Sequence, residues 1–213
     1  MTDFIFKKDN DGKMYFNGDF EGLYLNEDDP WGQSGINRKE YTISREKQIE
    51  ILKTYVKTGF LLDIGCGLGY STEFYNKFFH STGLDISKTA ITKAECRYPF
   101  LNFINYNVAE PKSLGKYYDI LIINQLLWYI LPEFEKVLHF IELNINQNGY
   151  ILLSNFIFDR NNQKFGNEYF TGIAEILSWL EGIIGPKMKI IEYYCKKIDE
   201  KYYDFHVVLI KNN

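Results

Sequence analysis

The chain predicts an α/β protein built on a doubly wound parallel sheet, and three observations carry that prediction. From Gly59 onward, short apolar strands alternate with helical segments, a pattern that places a parallel sheet between two layers of helices. Segments such as Tyr118–Asn124 are almost continuously apolar in their interior, as strands covered on both faces are. The first of these strands runs directly into glycines and then into a helix, the turn at which such sheets hold a ligand.

Residues 1–40 are polar, rich in Gly and Asp, and poorly periodic, with hairpin signals at Asn10-Asp11-Gly12 and Asn17-Gly18. The run from Asn26 to Gly35 is turn chemistry around one large aromatic, Trp31. A helix is expected over about 40–57, with Ile43, Ile49, Leu52 and Tyr55 sharing a stripe. Strands follow at 60–64, 82–86, 102–106, 118–124 and 149–156. Between them come a helix starting near Tyr70–Thr72, one capped by Ser87 and running to about Arg97, and one with Pro132 in its first turn and ending near Asn144. A helix over 170–184 precedes two closing strands, 189–197 and 205–211, read as an antiparallel hairpin. The chain divides into an N-terminal lid or cap segment with its helix, 1–57, and a core, 58–213, within one structural domain.

Composition narrows the function. The 213 residues are 46% hydrophobic and 24% charged, with 17% aromatics, and so form a globular core without staples. A net charge of −4 and a pI near 5.5 disfavour a nucleic-acid substrate, which draws most of its affinity from basic side chains. Cys66, Cys96 and Cys195 form no CxxC pair, so reduced thiols and a cytoplasmic location are expected. The N-terminal residues lack a signal-peptide pattern, and no apolar run reaches the roughly 18 residues of a membrane span. His80, His139 and His206 are scattered and read as structural, and no metal is expected.

The informative stretch is Leu61-Leu-Asp-Ile-Gly65-Cys-Gly67-Leu-Gly69, followed about 20 residues on by Gly83-Leu-Asp85. Position 70 is Tyr, so the spacing is GxGxG rather than the GxGxxG of a dinucleotide turn, and Asp63 sits two before the first glycine. A carboxylate there supplies negative potential suited to an ammonium and a sulfonium, while Asp85 can accept from both hydroxyls of a ribose. These residues resemble the first two motifs of class I S-adenosylmethionine (AdoMet)-dependent methyltransferases. The resemblance implies a Rossmann-like seven-stranded sheet of order 3-2-1-4-5-7-6, AdoMet as cofactor and S-adenosylhomocysteine as product. It implies cofactor contacts at Asp63, Gly65, Cys66, Gly67, Asp85, Ile86, Asn107, Val108 and Asn124. Asn107 stands where an acid commonly takes the adenine amino group, and its side-chain oxygen can accept that bond without charge.

The stretch after the fourth strand sets Asn124, Gln125 and Trp128 at the mouth of the crevice. No Asn-Pro-Pro-Tyr-like motif follows, which disfavours a nucleobase amino-methyltransferase. Asp29-Pro30-Trp31 together with Gln125-Leu-Leu-Trp-Tyr129 is similar to the nodulation-type N-methyltransferases, although Gln125 stands where these usually carry Glu. That likeness implies an acceptor pocket involving Trp31 and Tyr129, with Tyr41 and Arg45 of the N-terminal segment facing the cofactor carboxylate or an anionic substrate. Tyr41, Gln125 and Trp128 are the candidates for catalysis, and Asn155, Arg160 and Tyr169 further candidates for acceptor contacts. The expected activity is metal-free, in-line methyl transfer to O or N of a small polar metabolite: a sugar, an amino sugar or a phosphorylated intermediate. The alternatives are an RNA methyltransferase, a non-catalytic AdoMet-binding protein, and a nicotinamide-dependent oxidoreductase, against which Tyr70 and Asp63 argue.

Overall fold

The structure, a computed structural model, describes residues 2–11, 14–34 and 39–212. Gly12 and Gly35, the last residues of two expected turns, lie outside the described residues. The chain opens with α1 (Thr2–Ile5), a hairpin of β1 (Phe6–Lys8) and β2 (Met14–Phe16), α2 (Phe20–Asn26) and α3 (Lys39–Tyr55). The core follows as β3 (Phe60–Ile64), α4 (Tyr70–Asn76), β4 (His80–Asp85), α5 (Lys88–Arg97), β5 (Asn102–Asn105) and β6 (Tyr118–Asn124). Next come α6 (Leu127–Ile130), a 3₁₀ turn at Leu131–Glu133, α7 (Phe134–Asn144), β7 (Ile145–Phe158), α8 (Gly172–Ile184), β8 (Met188–Lys197) and β9 (Tyr202–Lys211).

The seven core strands form one sheet in the order β5-β4-β3-β6-β7-β9-β8. Counted from the Phe60 strand this is 3-2-1-4-5-7-6. The first five strands run parallel, and β9 lies antiparallel between β7 and β8. Strand alternation splits the core in two. Leu62, Ile64, Leu121, Ile123, Ile151 and Leu153 face α7 and α8. Leu61, Ile120, Ile122, Leu152 and Val208 face Ile49 and Leu52 of α3 and Tyr75 of α4. Burying each such aliphatic side chain stabilises the fold by about 1.5–3 kcal/mol before entropy.

Two sequence expectations shift. Helical structure begins before Pro132, at Leu127, and the proline falls within the 3₁₀ turn, where its missing N–H does no harm. Strand β7 runs to fourteen residues because β9 pairs along it as far as Phe158.

The N-terminal segment is tied across the C-terminal ends of the strands. Asp19 caps α2 by accepting from Gly22 N at 2.8 Å. Glu21 then reaches the first turn of α5, accepting from Ser87 Oγ (2.6 Å), Thr89 N (3.2 Å) and Thr89 Oγ1 (2.6 Å). A carboxylate at that helix end is favoured by unpaired N–H groups and the helix dipole, and these bonds hold Glu21 below the usual glutamate range against its partial burial. Lys93, one helical turn on, donates to the carbonyls of Tyr24 and Glu27. Glu21→Ala is expected to lower stability by about 1.5 kcal/mol, the scale of a charged hydrogen bond, and to expose residues 17–34 to limited proteolysis while the core stays resistant.

Candidate functional site

The turn between β3 and α4 is shaped by backbone geometry that side chains resist. Gly65, Gly67 and Gly69 have φ of 76°, 52° and 81°, the left-handed region that glycine enters without penalty. Space is as restrictive as conformation: a Cβ on Gly65 would lie 2.8 Å from Leu126, and one on Gly67 would lie 2.5 Å from both Gln33 Oε1 and Tyr24 Oη. The turn is closed on β4, with Gly65 N and Cys66 N both donating to the Leu84 carbonyl.

Two buried carboxylates flank the turn. Asp63 is the penultimate residue of β3, is 1% exposed, and accepts from Thr72 Oγ1 at 2.6 Å. Burial lifts its pKa to about 7, with Asp85 adding to the rise and the Thr72 bond and the Arg45 charge opposing it. Asp85 ends β4 and accepts from Gly67 N (2.8 Å) and Ser87 N (2.9 Å). Burial lifts it to about 6 in spite of these bonds. A carboxylate offers roughly four acceptor positions, so Asp85 retains capacity for a ligand's hydroxyls.

Both carboxylates line one cavity of about 460 Å³, a size within the range of small-molecule sites. Along its floor run Ile64, Gly65, Leu84, Ile86, Asn107, Val108 and Asn124. Asn107 spends its oxygen on Ala109 N, a local turn, and its amide nitrogen on Glu110. Cys66 and Gly67 shape the turn from behind rather than lining the cavity.

Beyond the carboxylates the cavity becomes an aromatic chamber bounded by Phe16, Phe20, Trp31, Tyr41, Trp128, Tyr129, Phe156 and Phe158. Tyr129 is its centre, with Phe6, Phe16, Phe20 and Trp31 of the N-terminal segment at centroid distances of 5.5–6.3 Å. Burial among these rings holds the Tyr129 phenol far above its usual range. Gln125 has a φ of 55°, strained for a residue with a Cβ. Its Oε1 accepts from Phe156 N, and its buried Nε2 has no hydrogen-bond partner.

The expected site residues separate by placement. Tyr41, Gln125, Trp128, Trp31, Tyr129 and Arg45 come together around the cavity. Asn155, Arg160 and Tyr169 do not line it. Asn155 is buried as a backbone clamp, accepting from Leu127 N and donating to the Phe156 carbonyl. Arg160 is exposed, and Tyr169 packs on Trp179. Sequence reasoning missed Phe16, Phe20, Tyr24, Gln33 and Ser44, which reach the cavity from the irregular N-terminal segment and α3. Among the described residues, no three His, Cys, Asp or Glu side chains are grouped to hold a metal ion, and no helix is long and apolar enough to cross a membrane.

The strand order is that of the class I methyltransferase fold, with the glycine turn and the paired acids at one crevice. Comparison with known proteins agrees. Residues 62–153 match the methyltransferase domain family. An uncharacterised protein of Methanocaldococcus jannaschii is 32% identical over 129 residues, 57% of this chain and 35% of its own length. A malonyl-[acyl-carrier protein] O-methyltransferase of Bacillus anthracis is 29% identical over 100 residues, 45% of this chain and 37% of its own. The chain thus spans about a third of the length of these two relatives. The N-methyltransferase NodS of Bradyrhizobium japonicum, solved with S-adenosylhomocysteine, superposes with a TM-score of 0.70 at 14% identity, covering 89% of this chain and 95% of that one. A methyltransferase structure from Methanosarcina mazei gives 0.56 at 20% identity over 76% and 97%. The family match thus covers residues 62–153, and the solved structures share the fold over most of the chain.

The raised acids give a pH prediction. A cationic ligand requires Asp63 ionised, so binding releases a proton wherever the free protein holds one. AdoMet affinity, measured by calorimetry, is expected to be flat above pH 7–8 and to fall by up to roughly tenfold per pH unit below the Asp63 pKa of about 7. Because folding raises these pKa values, their contribution to stability is full below the unfolded pKa and is lost as pH rises through about 6–7. The increase in Tm produced by AdoMet is therefore expected to be larger at pH 8 than at pH 5.5.

Proposed function

We propose that the protein transfers the methyl group of AdoMet to an oxygen or nitrogen of a small acceptor held in the aromatic chamber. The observation that carries the reading is one continuous cavity joining the glycine turn, Asp63 and Asp85 to the rings around Tyr129. The residues present fit the cofactor: three glycines hold a turn that a Cβ would block, and two buried carboxylates sit where an ammonium and ribose hydroxyls would neutralise or satisfy them.

When bound, AdoMet supplies a methyl carbon on a sulfonium whose leaving group is a neutral thioether. Asp63 and Arg45 would hold its amino-acid end, Asp85 its ribose, and Ile86, Asn107 and Val108 its base. The chamber residues then orient the acceptor in line with the methyl group and exclude water, a proximity effect worth up to about 7–11 kcal/mol. Gln125 Nε2, buried and without a partner, is placed to donate to an oxygen of the acceptor.

Rings and few charges suit an acceptor with one flat C–H face and a polar edge. A sugar or amino sugar offers both. A phosphorylated acceptor would find one cation, Arg45, among the described residues lining the cavity. The relatives named above include an enzyme of malonyl-[acyl-carrier protein] and an N-methyltransferase, so oxygen and nitrogen acceptors both belong in the screen.

The test is transfer of tritium from methyl-labelled AdoMet to a panel of amino sugars, sugars, sugar phosphates and short carboxylates. Label appearing in an acceptor supports the reading; AdoMet binding without transfer to any acceptor would favour a non-catalytic binding protein. Asp85→Ala is expected to weaken AdoMet by roughly tenfold or more, the scale of a charged hydrogen bond. Trp31→Ala is expected to lower kcat well beyond any change in AdoMet affinity; an unchanged rate with a lower Tm would make Trp31 a structural staple.

A further inference from the structure

A buried polar chain runs from the acceptor chamber into the sheet. Ser44 of α3 lines the cavity, is 2% exposed, and donates through Oγ to Asp204 Oδ1 at 2.9 Å. Asp204 and His206 share one face of β9 and are buried. His206 Nε2 lies 3.1 Å from Asp204 Oδ2, off the line of a hydrogen bond, and neither ring nitrogen has another partner. On the facing strand β7, Phe156 of the chamber is opposite Asp204 and Ser154 is opposite His206.

Packing alone does not account for this pair. One position deeper on the same face the opposed residues are Leu152 and Val208, the apolar filling that a core favours. A buried carboxylate beside an imidazole without full hydrogen bonding is unfavourable by comparison. Such groups persist where they have a task. The Ser44 proton points to Asp204 and one Ser44 lone pair accepts from Gln48 Nε2 at 3.4 Å, which leaves the second lone pair to accept from the chamber.

We propose that the Asp204–His206 pair takes the proton of the acceptor, with the Ser44 hydroxyl as the relay. The assignment rests on the methyltransferase reading above. As the acceptor X–H forms its bond to the methyl carbon, the carbon–sulfur bond breaks and its electron pair stays on sulfur. The X–H proton moves to Ser44 Oγ while the Ser44 proton moves to Asp204. One proton is left on the pair, as a carboxylic acid or as a carboxylate–imidazolium, and the sulfonium charge is cancelled. Other cavity groups serve this role poorly. Asp63 and Asp85 face the cofactor, burial holds the Tyr24 and Tyr129 phenols high, and Glu133 is paired with Lys136.

The charged and titratable groups around the pair come from two elements, β8 and α3. Tyr194 and Lys196 of β8 lie opposite His206 and Asp204. Cys195, on the other face of β8, is raised by burial and by Asp204. Lys47 of α3 sits over the Tyr194 ring at 4.5 Å, and Gln48 of α3 bridges Ser154 and Asn124.

The experiment uses the full chain with ¹⁵N-labelled histidine, saturated with S-adenosylhomocysteine. NMR measures exchange of the His206 ring proton with water in wild type, Ser44→Ala, Ser44→Thr and Asp204→Asn. Exchange is expected to slow at least tenfold in Ser44→Ala and Asp204→Asn and to recover in Ser44→Thr, which restores a hydroxyl. In the tritium-transfer assay, the same two variants should lose kcat for hydroxyl probes more than for amine probes, without change in AdoMet affinity. Exchange as fast in Ser44→Ala as in wild type, with S-adenosylhomocysteine bound, would overturn the relay alone. If wild type binds neither adenosyl ligand, the methyltransferase reading fails and the relay with it.

Discussion

The turn at the end of the central strand is the constraint on which the rest of the site depends. Three left-handed glycines bring the backbone round in a space that Leu126, Gln33 and Tyr24 leave no wider. That geometry puts Gly67 N on Asp85, so the second carboxylate is fixed by the turn itself. It also leaves Asp63 buried beside the cavity with Thr72 as its hydrogen-bond donor. Burial of these two acids disfavours their charged forms, and a cation placed beside them would favour those forms.

The second half of the site is made by folding the N-terminal segment back over the crevice. Glu21 and Lys93 fasten α2 to α5, and Gln33 Oε1 accepts from Leu68 N beside the turn. These contacts carry Phe16, Phe20 and Trp31 onto Tyr129. The aromatic surplus of the composition is therefore concentrated, in part, where an acceptor would lie. The two halves of the cavity come from opposite ends of the sequence logic: a compact motif builds the first, and dispersed contacts build the second.

That difference explains what was legible. Strand order and the positions of the core strands follow from apolar runs and turn chemistry, which are local signals. The glycine turn and Asp85 announce themselves because their spacing is set by one βαβ unit. Asn155 reads as an acceptor contact in the sequence because a polar side chain at a strand end resembles one, whereas in the fold it bonds Leu127 N and the Phe156 carbonyl and does not line the cavity. Ser44 and Asp204 are 160 positions apart, and no spacing rule joins them. His206 read as a scattered histidine for the same reason. Gln125 was noticed for its residue type, whereas its strained backbone and free amide nitrogen are visible only in three dimensions.

The central claim is that this crevice holds a sulfonium nucleoside, and parallel calorimetric titration of the protein with AdoMet, S-adenosylhomocysteine and NADH tests it most directly. The account predicts micromolar binding of both adenosyl ligands, proton release on binding near pH 6–7, and no heat from NADH. Binding of NADH alone, or adenosyl binding indifferent to pH across that range, would contradict it.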